Sequence, residues 1–188
     1  WSPTFDITTR DDGTILMEQT KALPEHLPTL ANYLDKWANA APDLPWLARR
    51  DDQGGWRKIT YGAARTAARQ IGSTLLQMGL GPDRPLLILS GNSLEHGLLG
   101  AACFYVGIPF APVSPAYSLV SKDHGKLRDI AALLKPGAVY AEDGDQFAQA
   151  IASISAPQMD VIALRGASTV RFDDLLQGDG SAATPARA

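Results

Sequence analysis

The chain has 188 residues, enough for one domain of ordinary size and too few for two complete ones. Its hydrophobic fraction of 45%, against 20% charged residues, is typical of a globular domain and excludes general disorder. The formal charge is −3 and the Lys and Arg residues are dispersed, so no basic stripe is available and no nucleic-acid partner is expected.

Secretion and membrane insertion are not expected either. Cys103 is the only cysteine, so no internal disulfide can form, and a reducing, cytoplasmic location is expected. The longest apolar stretch, residues 94–113, contains a histidine, glycines and prolines, which predicts a buried helix followed by a strand. The first ten residues lack the basic and apolar regions of a signal peptide.

Residues 1–28 are expected to form an N-terminal arm. Asp11, Asp12 and Gly13 give a turn signal between two apolar stretches, which predicts a small β-hairpin or an extended arm. Thr29 is the expected cap of the first helix, because its hydroxyl can accept a hydrogen bond from a free amide of the first turn. The apolar residues of that helix recur at helical spacing: Leu30, Tyr33, Leu34 and Trp37.

Residues 29–177 are predicted to form an α/β domain with a mostly parallel, doubly wound sheet and flanking helices. A hairpin within residues 46–60 comes first, and Thr60 then opens a long helix. The strand candidates that follow are short and apolar, as expected for strands buried on both faces: residues 85–89, 108–113, 137–141 and 160–164. Residues 178–188 are expected to be a disordered linker or an artificial chain end.

The helix between the first two of these strands is apolar over most of its length. Asn92 is its predicted cap, with Glu95 at the third helical position, and Gly107 is its predicted end. Because this helix would lie between two buried strands, Phe104 is expected to be a core residue whose truncation is among the most damaging.

Three near matches to nucleotide-binding loops are incomplete. The glycines at 79–81 and at 178–180 do not follow a strand, which a dinucleotide-binding fingerprint requires. Gly125 and Lys126 resemble the end of a P-loop, but Val120 occupies the position of the leading glycine. These segments are interpreted as turns or chance matches.

A catalytic serine and a metal site are the two other functions that the sequence allows us to test. Ser93 lies at a strand-to-helix turn like that of a hydrolase nucleophile elbow, but Glu95 stands where the strained turn needs a small residue. Helix capping is the competing role for Ser93. His96 and His124 have no further ligands at metal-binding spacing, so no metal site is predicted and no catalytic residue is assigned.

A resemblance to the adenylate-forming superfamily rests on two consecutive strings. Residues 87–96 read Leu-Ile-Leu-Ser-Gly-Asn-Ser-Leu-Glu-His, and residues 100–115 read Gly-Ala-Ala-Cys-Phe-Tyr-Val-Gly-Ile-Pro-Phe-Ala-Pro-Val-Ser-Pro. The strand before the Thr-Tyr helix start at 60–61 and the segment Phe-Asp-Asp-Leu-Leu at 172–176 fit the same family. Within it, residues 114–128 resemble the AMP-forming acyl-CoA synthetases called feruloyl-CoA synthases.

The resemblance implies a two-step ligation and the first subdomain of the adenylate-forming fold. In that family a carboxylate and ATP give an acyl adenylate and pyrophosphate, and the thiol of coenzyme A then displaces AMP. The cofactors implied for a full-length parent are ATP, Mg²⁺ and coenzyme A, and the implied substrate is a hydroxycinnamate-type aryl acid. The phosphate loop, a second subdomain and a C-terminal domain would lie beyond this chain. The chain alone is therefore expected to be inactive, to bind none of these cofactors tightly and to self-associate.

Coenzyme A gives the only candidate site residues. In acetyl-CoA members of the family, basic residues after the third strand contact the coenzyme's phosphate, but Gln146 and Gln149 stand near that place. Lys122, Lys126 and Arg128 are the alternative phosphate partners, and a solvated helix face is the competing interpretation. A free-standing α/β module that binds a small ligand at the switch point of its sheet is the alternative for the whole chain.

Overall fold

The computed structural model describes residues 4–183. The strands are β1 (Phe5–Thr9), β2 (Ile15–Gln19), β3 (Pro45–Arg50), β4 (Trp56–Thr60), β5 (Leu86–Ile88), β6 (Phe110–Pro112), β7 (Ala138–Asp143), β8 (Asp160–Arg165) and β9 (Val170–Arg171). The helices are α1 (Leu30–Ala40), α2 (Tyr61–Gln77), α3 (Leu94–Val106), α4 (Ala116–Leu119), α5 (Gly125–Leu134) and α6 (Ala148–Ile154), with a 3-10 helix at Phe172–Gln177.

Five parallel strands form the central sheet, in the order β6-β5-β7-β8-β9. The chain moves from β5 to β6 on one side and then returns to β7 on the other side of β5, which places a topological switch point between β5 and β7. The predicted mostly parallel, doubly wound sheet is confirmed.

Helices cover both faces of the sheet because successive strand residues point to opposite sides. Leu86 and Ile88 pack in the cluster that contains residues of α1, α2, α3 and the 3-10 helix. Leu87 and Val139 pack in a second cluster with residues of α5 and α6. The apolar runs without polar alternation therefore reflect two separate cores, one on each face.

The N-terminal arm is an antiparallel hairpin of β1 and β2 that contributes no core. Ile7 pairs with Met17 in its register, and Gly13 takes a positive φ of 84° in the connecting turn. All ten strand residues are exposed, including Ile7 and Met17. Of the two expected arm conformations, the hairpin is the one that forms.

Two expectations about α3 were wrong. Ser93, rather than Asn92, is the cap, because its Oγ accepts a hydrogen bond from the His96 amide at 3.0 Å. Phe104 is 43% exposed and is not a core residue; it packs edge-on against Phe110, with ring centroids 5.4 Å apart. An apolar helix has no polar face to mark its outside, so the sequence could not show that Phe104 faces away from the sheet.

The chain remains packed beyond the predicted end of the domain at residue 177. The space at Gly178 is closed by α2, since a Cβ there would clash with the Gln70 carbonyl. Ala183 is fully buried in the cluster that includes α2 and α3. The rest of the predicted tail, residues 184–188, lies outside the described residues. No helix within residues 4–183 is long and apolar enough to cross a bilayer.

Candidate functional site

The carboxyl edge of the sheet beside the switch point is the candidate site, since open parallel sheets bind ligands outside the ends of such strands. The turn from β5 into α3 lies there, as does the end of β7. The β3–β4 hairpin packs over this edge. Its Leu47 packs where a Cβ at Gly97 of α3 would clash, so the glycine allows the hairpin to approach the helix closely.

Two arginines hold the hairpin on the edge. Arg49 and Arg57 are direct cross-strand neighbours, a pairing of like charges that destabilises a hairpin by itself. Nη1 of Arg49 lies 3.2 Å from both carboxylate oxygens of Glu142, at the end of β7. Arg57 forms an ion pair with Glu95, which is 4% exposed on α3. Each arginine is therefore neutralised by a glutamate of the α/β unit, which fixes the hairpin over the switch point.

The acidic groups at the end of β7 are committed to structural contacts. Arg165 Nη1 lies 3.5 Å from Glu142 Oε1, and Arg165 Nε lies 3.7 Å from Asp143 Oδ2. Asp143 Oδ1 accepts hydrogen bonds from the amides of Asp145 and Gln146, at 3.0 and 3.1 Å. These contacts neutralise both carboxylates. Glu142 and Asp143 therefore have a structural role at this edge and are not placed as general bases.

A crevice of about 420 Å³ opens between the hairpin and the start of α3, lined by Arg49, Asn92, Ser93 and His96 among others. The Ser93 hydroxyl is used by the helix cap, and His96 Nδ1 donates to the Gly91 carbonyl at 3.2 Å. Ser93 also has an extended backbone, with φ −140° and ψ 167°, without the strain of a nucleophile elbow. The arrangement supports the capping role and gives no serine–histidine dyad among these residues.

Two buried hydroxyls beneath the edge were missed by the sequence analysis. Within residues 4–183, neither Ser90 Oγ nor the Tyr140 hydroxyl has a hydrogen-bond partner. Burial raises the pKa of Tyr140, so its hydroxyl stays protonated and can donate. Tyr140 pairs with Ile88 in the strand register, and Ile88 precedes Ser90 by two residues. A single polar atom in an otherwise apolar buried strand is the signal that could have identified them.

The three predicted coenzyme A contacts do not converge on one point. Lys122 is exposed in the α4–α5 connection. Lys126 places its ammonium 5.3 Å from the centre of the Tyr117 ring, while Arg128 donates to the carbonyl of Asp123. Residues two apart on a helix point in different directions, so Lys126 and Arg128 leave α5 on different sides.

A second depression, the aromatic groove, lies between α1, α3 and the β3–β4 hairpin. It has a volume of about 540 Å³, and its aromatic lining residues are Tyr33, Trp37, Trp46, Tyr61, Phe104 and Phe110. Trp37 and Phe104 are each 43% exposed, although the sequence placed both on apolar helix faces. Self-association through such a surface remains a prediction.

Comparisons with known proteins agree on one family. The profile of the family described as AMP-binding enzyme matches residues 34–181. An alignment of 146 positions is 30% identical to Bacitracin synthase 1 of Bacillus licheniformis and covers 71% of this chain and 2% of that synthase.

Solved structures share the fold at low sequence identity. A benzoate CoA ligase from Burkholderia xenovorans LB400 superposes with a TM-score of 0.65 at 20% identity, covering 86% of this chain and 30% of its own. A fatty acyl-adenylate ligase from L. pneumophila, solved with acyl adenylate and pyrophosphate, gives a TM-score of 0.63 at 19% identity, covering 88% and 27%. The chain thus spans less than a third of the length of these ligases. With the family profile matching most of its length, the chain belongs to the AMP-binding enzyme family.

Proposed function

We propose that this chain is the N-terminal part of an ATP-dependent ligase that joins an aryl acid to coenzyme A, with release of AMP and pyrophosphate. The observation that carries the proposal is the family match over residues 34–181, together with a fold shared with a benzoate CoA ligase. The chain supplies the first sheet of such an enzyme. The rest of the protein supplies the phosphate-binding loop, and ATP and Mg²⁺ act there.

The aryl acid is proposed to be a hydroxycinnamate such as ferulate. The support is the resemblance of residues 114–128 to feruloyl-CoA synthases, in a segment that leaves β6 at the carboxyl edge. Its conformation is held by the buried His124, whose Nε2 donates to the Ser118 carbonyl at 3.1 Å. His124 and Ser118 therefore shape a loop at the edge where parallel sheets bind their ligands.

Coenzyme A is proposed to use the same edge. Lys122 lies in the connection after α4, and Lys126 lies in the first turn of α5, so both are close to the point where the chain has left β6. They remain the candidate partners for the coenzyme's phosphate, whereas Arg128 donates to the Asp123 carbonyl and lines a different groove. The proposal places the enzyme in the cytoplasm, in keeping with the buried free thiol of Cys103.

The test is AMP release by the full-length protein with ATP, Mg²⁺, coenzyme A and a panel of acids. Ferulate and coumarate should react well, because one substituent on the ring changes binding by only about 1 to 3 kcal/mol. Benzoate, acetate and octanoate should react poorly. Preference for acetate or octanoate would overturn the hydroxycinnamate assignment alone, and no AMP release with any acid would overturn the ligase proposal itself.

A further inference from the structure

A groove of about 740 Å³ lies at the opposite, amino edge of the sheet. We call it the basic groove, because Arg84, Arg128 and Lys135 all line it. Arg84 precedes β5, while Arg128 and Lys135 lie on α5 and at its C-terminal cap, seven residues apart and so on the same side of the helix. Three cationic side chains from two parts of the chain thus line one depression.

In the described part of the chain, no carboxylate inside the groove pairs with these cations, although Arg128 donates to the Asp123 carbonyl outside it. Within residues 4–183, the lining of the groove contains no carboxylate. The arginines that form ion pairs in this part of the chain are Arg49, Arg57 and Arg165, at the other edge. Like charges held together repel one another, and a bound anion would remove that cost.

The Arg84 side chain is held in place by contacts with the chain. One of its Nη atoms donates to the Gln158 carbonyl at 3.1 Å, and its Nε is buried without a hydrogen-bond partner among the described residues. The side chain crosses Gly137, where a Cβ would lie 2.9 Å from Arg84 Cβ and 3.0 Å from Arg84 Nε. Gly137 is therefore a position where a larger residue would displace the guanidinium.

The walls of the groove fit a small organic ligand. They carry short apolar side chains, among them Ala131, Ala132, Pro136, Ile154 and Pro157. The volume lies in the range of small-molecule sites. Two guanidinium groups and an ammonium suit a phosphate, whose several oxygens can each accept a charge-assisted hydrogen bond.

We propose that the basic groove binds a small phosphomonoester with a flat or apolar body. The phosphate contacts Arg84 and Lys135, Arg128 joins them by exchanging its hydrogen bond to the Asp123 carbonyl for one to the phosphate, and the body lies against the alanines and prolines. The groove opens at the amino edge, which the six residues of β7 put about 20 Å from the carboxyl edge, and Arg128 reaches it from α5, two residues after Lys126. The inference does not depend on the proposed function.

Phenyl phosphate is the probe, and the 188-residue chain labelled with ¹⁵N is the sample. Titration should shift the amide signals of Arg84, Lys135 and Gly137, at the groove, and leave those of the β3–β4 hairpin unchanged. Phenol, which lacks the phosphate, should give no saturable shift. Inorganic phosphate should shift the same signals with weaker affinity, because it lacks the apolar body.

The decisive variant is the double substitution Arg128→Gln and Lys135→Gln, at two exposed positions where folding should be preserved. Phenyl phosphate should bind at least about tenfold more weakly, since the variant removes two cations that can donate charge-assisted hydrogen bonds to the phosphate. The matched control, Lys122→Gln with Lys126→Gln, removes the same charge at and just before the start of α5, outside the groove. Gly137→Ala adds a test that does not change the net charge. It should weaken binding because the new methyl group displaces the Arg84 guanidinium.

Three results would overturn the proposal. One is unchanged affinity in the Arg128→Gln/Lys135→Gln variant, and another is an equal loss in the Lys122→Gln/Lys126→Gln control, which would indicate diffuse electrostatic attraction. The third is a lipid source of the phosphate. If the chain sediments with vesicles that contain phosphatidic acid and shows no saturable binding of phenyl phosphate, the groove binds a membrane surface and not a small ligand.

Discussion

The two edges of the parallel sheet use the same residue types in opposite ways. At the carboxyl edge Arg49, Arg57 and Arg165 are all paired with carboxylates, and the pairs of Arg49 and Arg57 hold a hairpin over the switch point. At the amino edge Arg84, Arg128 and Lys135 meet without a carboxylate among the described lining residues. The difference teaches that the described part of the chain supplies carboxylate partners for its cations at one edge and leaves such partners out of the groove at the other.

The largest effect is expected from loosening α3, the helix that brings Glu95 to the carboxyl edge. Leu99 is fully buried in the core, so Leu99→Ala should lower the free energy of unfolding by about 3 kcal/mol through lost transfer energy and a cavity. Phe104→Ala is the matched control on the same helix and should cost about 1 kcal/mol, because Phe104 is partly exposed. Urea denaturation measures both, and equal losses would contradict the observed orientation of α3.

Arg57→Ala should be next, at about 2 kcal/mol, because it leaves the Glu95 carboxylate buried without its partner. The cost is below that of a fully buried pair since the Arg57 side chain is 56% exposed and water screens it. Adding Glu95→Gln to Arg57→Ala should recover part of the loss. If the double variant were no more stable than Arg57→Ala, the ion pair would not be the source of the effect.

Arg49→Ala should cost less than about 1 kcal/mol, because it leaves a Glu142 side chain that is 20% exposed and can be solvated, whereas that of Glu95 is 5% exposed. The loss should shrink further as salt is added, since exposed pairs are screened. Thermal unfolding at low and high ionic strength measures it. A cost equal to that of Arg57→Ala at every salt concentration would mean that exposure does not separate the two pairs.

The smallest change in stability should come from the amino edge. Replacing Arg128 and Lys135 with Gln should leave the free energy of unfolding within about 0.5 kcal/mol of the wild-type value, since neither residue forms an ion pair in the described chain. Saturating phenyl phosphate should raise the melting temperature of the wild type and not that of the variant. A variant that unfolds readily without ligand would show that the cations are structural.

The sheet was predictable because its signals are local. Each buried strand is a continuous apolar run, so the four predicted strands agree with the observed ones to within a few residues. Thr60 and Gly107 mark the start of α2 and the end of α3 by side-chain capping and a left-handed backbone. Ser93 and Asn92 are both able to cap, so the choice between them depended on geometry that the sequence does not carry.

The contacts that define the two edges join distant parts of the chain. Arg49 and Glu142 are 93 residues apart, and Arg84 crosses Gly137 from another element. Charge and composition reveal that these residues exist but not which of them meet, because pairing follows from the strand order and from the docking of the hairpin. The candidate sites therefore emerged only from the fold, whereas the fold class could be predicted from the residues.

The most direct test of the ligase account is ATP–pyrophosphate exchange with ferulate, measured for the full-length protein and for this 188-residue chain under the same conditions. The account predicts exchange above background with the full-length protein alone, because the phosphate loop is expected outside the chain. Ferulate-dependent exchange by the chain itself, or none by the full-length protein with ferulate or any other acid, would contradict it.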